Sequence, residues 1–204
     1  GIAVSSIRSV GNKQHSFNLT NVTLSDNDQT LAGVSTVGAI TTTANAVLKN
    51  VTIANDHGRG ISALYDFYGT PTVQVQNTIL WGNARGDVLA LGQDDAAVLP
   101  VSLGNNVVGD GGSGVFTQPS DRTNTNPMLA ALGDYGGPTE THDLQSGSPA
   151  IDTAAAAGCP ATDQRGIARP LDGDGNGTPV CDVGAVEFTP PACGNGQDDD
   201  GDSF

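Results

Sequence analysis

The stretch "LTNVTLSDN", Leu19–Asn27, decides the fold predicted for this chain, because related stretches recur along its first half. A shared asparagine falls at positions 21, 50, 77 and 105, in steps of 29, 27 and 28 residues. A near-constant period of this length is typical of stacked repeats rather than of a closed sandwich. The related stretches are "LKNVTIAND" (Leu48–Asp56), "VQNTILWGN" (Val75–Asn83) and "LGNNVVGDG" (Leu103–Gly111).

The alternation of apolar residues inside each unit breaks at the asparagine. In a strand, Leu19 and Asn21 point to one side, whereas the apolar Val22 and Leu24 point to the other. A bend at the asparagine returns both apolar pairs to one interior, and asparagine tolerates the left-handed conformation that such a bend needs. Stacking then places the amides one above another, where they can hydrogen-bond along the stack. The predicted structural ladder comprises Asn21, Asn50, Asn77 and Asn105.

We therefore predict an all-β protein, a right-handed parallel β-helix (β-solenoid) of about four to five coils with a C-terminal capping region. The composition agrees, because β-branched and turn-forming residues are plentiful and glycine alone numbers 28. The alternative is an antiparallel β-sandwich with a turn about every ten residues. The predicted domains are coils at residues 1–125, a cap with a disulfide-closed loop at 126–188, and a Pro-hinged acidic tail at 189–204.

The chain is strongly acidic, which limits the partners that it can have. Its formal net charge is -14 and its pI is near 4.1, so the phosphate backbone of a nucleic acid would repel it. No apolar run approaches the roughly 20 residues that span a bilayer, and we predict no membrane span in this chain. The chain opens within a strand-like pattern, "GIAVSSI", without Met, so we expect a processed or partial product of something longer.

Three cysteines indicate an oxidising compartment. Cys159 and Cys181 flank a Gly- and Asp-rich loop and are predicted to form a disulfide. Cys193 lies beyond a Pro-Pro pair, and its expected partner is past the end of this chain. Because disulfides persist outside the reducing cytosol, we predict an extracellular or cell-surface location.

Long motifs in this sequence resemble the choice-of-anchor Q domain, which closes the C-terminal end of many exported bacterial β-helix proteins. They are "VQNTILWGN", "LGNNVVGDG", "NPMLAALGDYGGPTETHDLQSGSPAID" and "CPATDQRGIARPLDG…CDVGAVEF". The resemblance runs from about Leu19 to Phe188 and implies a secreted or surface-displayed bacterial protein without an established catalytic activity. The chain departs from the family in the insertion "LDGDGNGTPV" and in the tail "CGNGQDDDGDSF", which resembles Asp-rich metal-binding segments of some bacterial surface proteins.

The insertion carries oxygen ligands at the spacing of the first half of an EF-hand calcium loop. Acids or amides occupy the first, third and fifth positions, Gly177 the sixth, and a backbone carbonyl the seventh. The distal glutamate is missing, since Val183 stands in its place with Asp182 directly before it. The alternative is a turn with solvated charges, and a second candidate is the acidic tail. The candidate calcium ligands are Asp172, Asp174, Asn176, Thr178, Asp182, Asp198, Asp200 and Asp202.

The stretch "CPATDQRGIARP", Cys159–Pro170, holds two of only eight Lys and Arg residues. In so acidic a chain, Arg165 and Arg169 are expected to pair with Asp163, Asp172 or Asp182, or with open carbonyls of the last coil, rather than with a substrate. Asp163, Arg165 and Arg169 are therefore predicted to form a structural clasp.

The function predicted from these patterns is non-enzymatic, that of an exported surface or extracellular matrix protein for adhesion or assembly. The competing class is a carbohydrate-active protein, as a polysaccharide lyase, a glycoside hydrolase or a polysaccharide-binding module. The nearest thing to a catalytic group is "NDHGRG", with Asp56, His57 and Arg59, although a histidine in this setting is more often a polar loop residue. Tyr65, Asp66 and Tyr68 follow within the same coil.

A solenoid leaves unpaired strand edges at its ends, and these edges suggest partners. We expect a homo-polymer through head-to-tail stacking as the main alternative to a lone surface module. Polysaccharide or cell-surface contacts are the other partners that the sequence suggests.

Overall fold

A computed structural model describes residues 4–7, 15–27, 38–63, 70–89 and 99–190 of the chain. Several predicted residues lie outside these ranges, namely Tyr65, Asp66, Tyr68, Cys193, Asp198, Asp200 and Asp202. Within the described ranges the protein consists of β-strands, loops and two single-turn 3-10 helices, Gly112–Gly114 and Ala156–Gly158, with no α-helix. None of these helices has the length or the apolar character needed to cross a membrane.

Ten strands of between two and ten residues build two parallel sheets. They are β1 (Val4–Ile7), β2 (Ser16–Ser25), β3 (Gly38–Thr42), β4 (Asn45–Ala54), β5 (Arg59–Ala63), β6 (Val73–Gln76), β7 (Ile79–Trp81), β8 (Val88–Leu89), β9 (Val101–Ser102) and β10 (Val107–Val108). The smaller sheet has the order β1-β3-β5-β8. The larger runs β10-β7-β4-β6-β9, with β2 paired to β4 beside that path. All of these pairs are parallel, so the stacking of successive units that the asparagine period predicted is present.

The prediction of a right-handed parallel β-helix of four to five coils is wrong. The larger sheet is a curled half-barrel whose main path has five parallel strands, with β2 beside it, and the units do not form clear repeated coils. The sequence period fixes the register between neighbouring strands, but the strands shorten from ten residues in β2 and β4 to two in β9 and β10. The outer side of the half-barrel is covered by a long irregular segment rather than by further coils.

Left-handed asparagines interrupt the strands of the half-barrel. Asn21, Asn50, Asn77 and Asn105 have φ angles of 55°, 51°, 50° and 57°. In β4 the bend at Asn50 lets Leu48 and Val51 enter the same buried core, although they are three residues apart. The broken alternation of the sequence therefore corresponds to a real change in strand direction.

The core has two parts, one on each side of the half-barrel. The first lies between the two parallel sheets and includes Leu48, Val51, Ile53, Ile61 and Leu80. The second lies between the half-barrel and the C-terminal residues. It contains Ile79, Val107, Leu144, Ala150, Ile151, Ala154, Cys181, Val183, Val186 and Phe188.

Residues 126–188, called the C-terminal segment below, were predicted to cap the end of the stack and instead lie along its side. The segment begins with an antiparallel pair, β11 (Leu129–Gly133) and β12 (Thr141–Leu144), and continues as irregular chain. At Gly184 a Cβ atom would lie 2.7 Å from Ile79 Cδ1 and 2.8 Å from Thr52 Oγ1, so only glycine allows this close approach to β4 and β7.

The edge of β10 is closed by residues 112–125, which belong to the predicted coil region. Val107 forms a parallel bridge with Arg122, and the Val108 amide donates to the Arg122 carbonyl at 2.8 Å. Phe116 and Val115 are buried in the first core beneath this edge. Residues 112–125 therefore close the end of the stack, whereas the C-terminal segment packs along its side.

Candidate functional site

The four asparagine amides point to the C-terminal segment and not along the stack, which corrects the predicted ladder. Each side-chain nitrogen donates to a backbone carbonyl far away in sequence: Asn21 to Thr162 at 2.5 Å, Asn50 to Asp182 at 3.2 Å, Asn77 to Ala155 at 3.1 Å and Asn105 to Thr153 at 2.8 Å. Asn77 also accepts from the Ala155 amide at 2.8 Å. The side-chain oxygens of Asn21 and Asn50 are buried without a hydrogen-bond partner. The bends therefore form a row of donors that holds the C-terminal segment against the half-barrel.

Arg165 lies in the centre of the predicted clasp and bonds within the C-terminal segment. Its side chain, 4% exposed, contacts Asp163 Oδ2 at 2.8 Å and Asp143 Oδ1 at 3.0 Å, and it donates to the Glu187 carbonyl. Asp163 accepts in addition from the amides of Arg165, Ile167 and Glu187. This arrangement is a buried charge cluster with its hydrogen-bonding capacity directed inward.

Arg169 is held by the end of the C-terminal segment. Its guanidinium donates to the carbonyls of Asp182 and Gly184, each at 2.9 Å, and Nε lies 3.4 Å from Glu187 Oε2. The clasp was expected to reach open carbonyls of the last coil, and the structure places these carbonyls in residues 182–184 of the segment instead. Asp172, the third predicted acidic partner, lies in the acidic loop described below.

Burial perturbs the pKa of the carboxyls around this cluster. It raises the pKa of Asp182 to about 7, and the nearby Glu187 carboxylate raises it as well, against the amide bonds from Phe188 and Asp152. Burial also raises the pKa of Glu187 and of Asp143 and lowers the pKa of Arg169. The Arg169–Glu187 ion pair acts against burial in both cases. The Glu187 charge raises the pKa of Arg169, and the Arg169 charge lowers the pKa of Glu187.

The acidic loop brings together Asp152, Asp172 and Asp174, with one oxygen of each within 4.8 Å of the others. Asp152 was not among the predicted ligands, because it lies 20 residues before the loop in sequence. Asp182 does not belong to this group, since its two carboxylate oxygens accept from the amides of Asp152 and Phe188. Asp182 is 1% exposed, so it supports the loop from beneath.

The other two predicted ligands shape the loop itself. The Asn176 amide donates to Asp172 and Asp174, each at 3.0 Å, and the Asn176 side-chain oxygen accepts from the Thr178 amide at 2.9 Å. These bonds form successive turns whose carboxylates are gathered at one place. The Asp152 Oδ1 atom is buried and has no hydrogen-bond partner.

The predicted disulfide is present between Cys159 and Cys181, whose Cα atoms are 6.1 Å apart. It closes the loop that contains Arg165, Arg169 and the acidic turns. Because Cys181 and the carbonyl of Asp182 lie beside β4, the disulfide fixes the stretch that the Asn50 amide contacts.

The "NDHGRG" stretch places Asp56 and His57 in different surroundings. Asp56 is fully buried, and its Oδ1 atom accepts from both the backbone and the side chain of Asn27 at 2.8 Å. His57, by contrast, is exposed. Burial raises the pKa of Asp56, and the hydrogen bonds from Asn27 act in the opposite direction.

Asp56 belongs to a polar ladder that the sequence analysis missed. Its amide donates to the Asn83 side chain at 3.1 Å, Asn83 donates to Asp87 at 2.8 Å, and Asp87 accepts from the amides of Gly109 and Asp110. These bonds run from strand to strand, as had been expected for Asn21 and Asn50. The sequence contains a pattern that predicts this ladder, because Asn27, Asp56 and Asn83 all end the recurring nine-residue stretches.

A contact between Ser25 and His142 was also missed. Ser25 Oγ lies 2.7 Å from His142 Nε2, and His142 Nδ1 lies 2.8 Å from the Ala130 carbonyl. A serine beside an oriented histidine is the arrangement of an activated nucleophile. Here, however, the two residues are 2% and 1% exposed, so the contact joins β2 to the β11–β12 hairpin. The sequence separation of 117 residues explains why no local pattern revealed it.

A shallow groove of about 210 Å³ lies at the end of the half-barrel where β2 and β4 begin. Three neighbouring strands form its floor, at the beginnings of β2, β4 and β6. It is lined by Ser16, Phe17, Asn18, Asn45, Ala46, Val47, Thr72 and Gln74.

Comparisons with protein-family models, with curated proteins and with solved structures find no match for this chain. The resemblance to the choice-of-anchor Q domain therefore stays a prediction, and the geometry alone supports the functional argument.

Proposed function

We propose that this chain is a non-enzymatic structural protein of the cell exterior, an exported surface or extracellular matrix protein. The observation that carries the proposal is the use of its buried ionisable groups. Asp163, Arg169, Asp182 and Glu187 are between 0% and 7% exposed, and their bonds join the parts of the C-terminal segment to one another. Groups directed at their own backbone stabilise a scaffold and do not face a substrate.

The disulfide and the acidic surface support an extracytoplasmic place of action. Disulfides persist in oxidising compartments, and a net charge of -14 keeps a protein soluble without favouring nucleic acids. Head-to-tail polymerisation has less support. The edge of β10 already pairs with Arg122 of the same chain, so a second copy would find this edge occupied.

We also propose that Asp152, Asp172 and Asp174 hold a calcium ion. Calcium prefers carboxylate oxygens, and three carboxylates at this separation repel one another without a cation. The buried Asp152 Oδ1 atom lacks a hydrogen bond, and a buried polar atom is costly unless something satisfies it. An ion at this place would tie residue 152 to the disulfide-closed loop.

The non-enzymatic proposal is tested by incubating the full chain with neutral and uronic-acid polysaccharides in the presence of calcium. We expect no new reducing ends and no unsaturated products by mass spectrometry, while an active lyase in the same assay gives both. Products that disappear in a folded His142→Gln or Asp56→Asn variant would place the protein in the carbohydrate-active enzyme class instead.

A further inference from the structure

The groove at the beginnings of β2, β4 and β6 is built from three strands in register. Ser16 is opposite Asn45, and the Asn45 side chain accepts from the Thr72 amide at 2.7 Å. In the next row Asn18 is opposite Val47, which in turn is opposite Gln74. The first row therefore holds Ser16, Asn45 and Thr72, and the second holds the amides of Asn18 and Gln74 on either side of Val47.

The chemistry of these rows is that of a site for hydroxyl groups. A carboxamide donates and accepts at once, as a sugar hydroxyl also does, and the serine and threonine hydroxyls do the same. Val47, which is partly exposed, adds apolar surface between Asn18 and Gln74, on which the C–H face of a sugar can pack. All eight lining residues are uncharged.

The spacing suits a linear polymer. Neighbouring strands of a sheet lie about 4.8 Å apart, close to the rise per sugar of an extended saccharide chain. A chain that crosses β2, β4 and β6 therefore meets one set of polar groups per sugar.

Charge selects among saccharides. The protein carries a net charge of -14, and the uncharged groove has no cluster of cations to offset the repulsion of a uronic-acid polymer. Lys49 is a lone cation on the adjoining row, opposite Thr20 and Gln76. A neutral polymer avoids the repulsion altogether.

We propose that this groove binds a neutral saccharide chain that lies across β2, β4 and β6. The inference rests on the proposed role at the cell exterior and gives it a ligand class. Binding here is adhesive, because the lining groups hold the sugar and provide no acid or base to cleave it.

The test is titration of the full chain with cellohexaose, laminarihexaose and chitohexaose, followed by NMR shifts and calorimetry, with hexagalacturonate as the charged comparison. At least one neutral hexasaccharide is expected to bind more tightly than hexagalacturonate. Asn18→Ala and Gln74→Ala should each raise the dissociation constant about fivefold, because each variant loses about one hydrogen bond to the sugar. Thr20→Ala is the matched control, exposed on the same face but outside the groove, and it should bind as the parent does.

Three results would overturn the inference: no binding of any neutral hexasaccharide at millimolar concentration, preference for hexagalacturonate, or unchanged binding by the Asn18→Ala and Gln74→Ala variants. None of these affects the non-enzymatic proposal, which fails only if a polysaccharide is cleaved. Self-association of the chain would also contradict saccharide binding if the Asn18→Ala variant abolished it. The groove would then be a contact surface for a second copy of the chain.

Discussion

Single asparagines do two things at once in this protein. The left-handed backbone of Asn50 turns β4 so that Leu48 and Val51 share one core. Its side-chain amide then donates to the Asp182 carbonyl of the C-terminal segment. Glycine adopts the left-handed backbone but has no amide to donate, and alanine neither adopts that backbone easily nor donates. Asparagine meets both requirements, which explains the residue type at this position.

Substitutions at Asn50 separate the two contributions. Asn50→Gly keeps the backbone conformation and loses the hydrogen bond, which should lower the free energy of unfolding by about 1–2 kcal/mol. Asn50→Ala adds left-handed strain and should lower it by about 1–2 kcal/mol more. Urea unfolding measures both values.

Asn124 is the matched control for Asn50, because it is exposed and has a φ angle of 51°. Asn124→Gly should leave the free energy of unfolding nearly unchanged. Asn124→Ala should lower it only by the cost of holding alanine in the left-handed conformation. Equal stability of Asn50→Gly and the parent would show that the amide bond to Asp182 contributes nothing.

At the scale of elements, the C-terminal segment is stabilised by contacts rather than by regular structure. Apart from β11, β12 and one 3-10 turn, it is irregular, and it is held by the asparagine row, the disulfide and the buried arginines. The acidic loop is the part of the segment where carboxylates gather without a buried cation among them. A bound cation should therefore stabilise the segment more than any single hydrogen bond.

Calcium should raise the thermal midpoint relative to EDTA. At a hundredfold excess over its dissociation constant, a ligand that binds only the folded state adds about 2.7 kcal/mol, which corresponds to a rise of roughly 5–10 °C at this chain length. Asp152→Asn should remove the rise, whereas Glu140→Gln, an exposed acid outside the loop, should retain it. Identical melting curves with calcium and with EDTA would exclude a structural calcium ion.

For the whole molecule, burial of carboxyls makes stability depend on pH. In the described part of the chain, burial raises the pKa of five carboxyls, those of Asp56, Asp87, Asp143, Asp182 and Glu187. A raised pKa means that the folded state binds the proton more tightly than the unfolded state does. The stabilisation is complete below the unfolded pKa and is lost as pH rises through the folded pKa.

The protein should therefore be more stable at pH 5 than at pH 8 when measured in EDTA. Asp182, with an ordinary pKa of 3.8 and a folded pKa of about 7, sets a window from about pH 4 to pH 7. The loss from this residue should be on the order of a few kcal/mol, observed as a falling midpoint in calorimetry.

Asp182→Asn should flatten this dependence, whatever its effect on absolute stability. Glu140→Gln removes one surface charge and controls for general repulsion among the acids, so it should keep the parent's slope. A midpoint that rises between pH 5 and pH 8 would contradict the argument.

The sequence by itself determined the features that depend on local backbone preference and on period. Asparagine at a broken alternation predicted a bend, and steps of 27–29 residues predicted parallel pairing of successive strands. The cysteines that flank one loop predicted the disulfide. Such features are predictable because neighbouring residues, or equal positions of neighbouring repeats, impose them.

The tertiary structure alone decided where the irregular C-terminal segment packs. That packing braces the half-barrel along its side, directs the asparagine amides to the segment, and places Asp152 rather than Asp182 in the acidic loop. It also brought Ser25 to His142 across 117 residues. The physical reason is that an irregular chain has no period, so its contacts depend on which buried surface and which unpaired carbonyls it can satisfy.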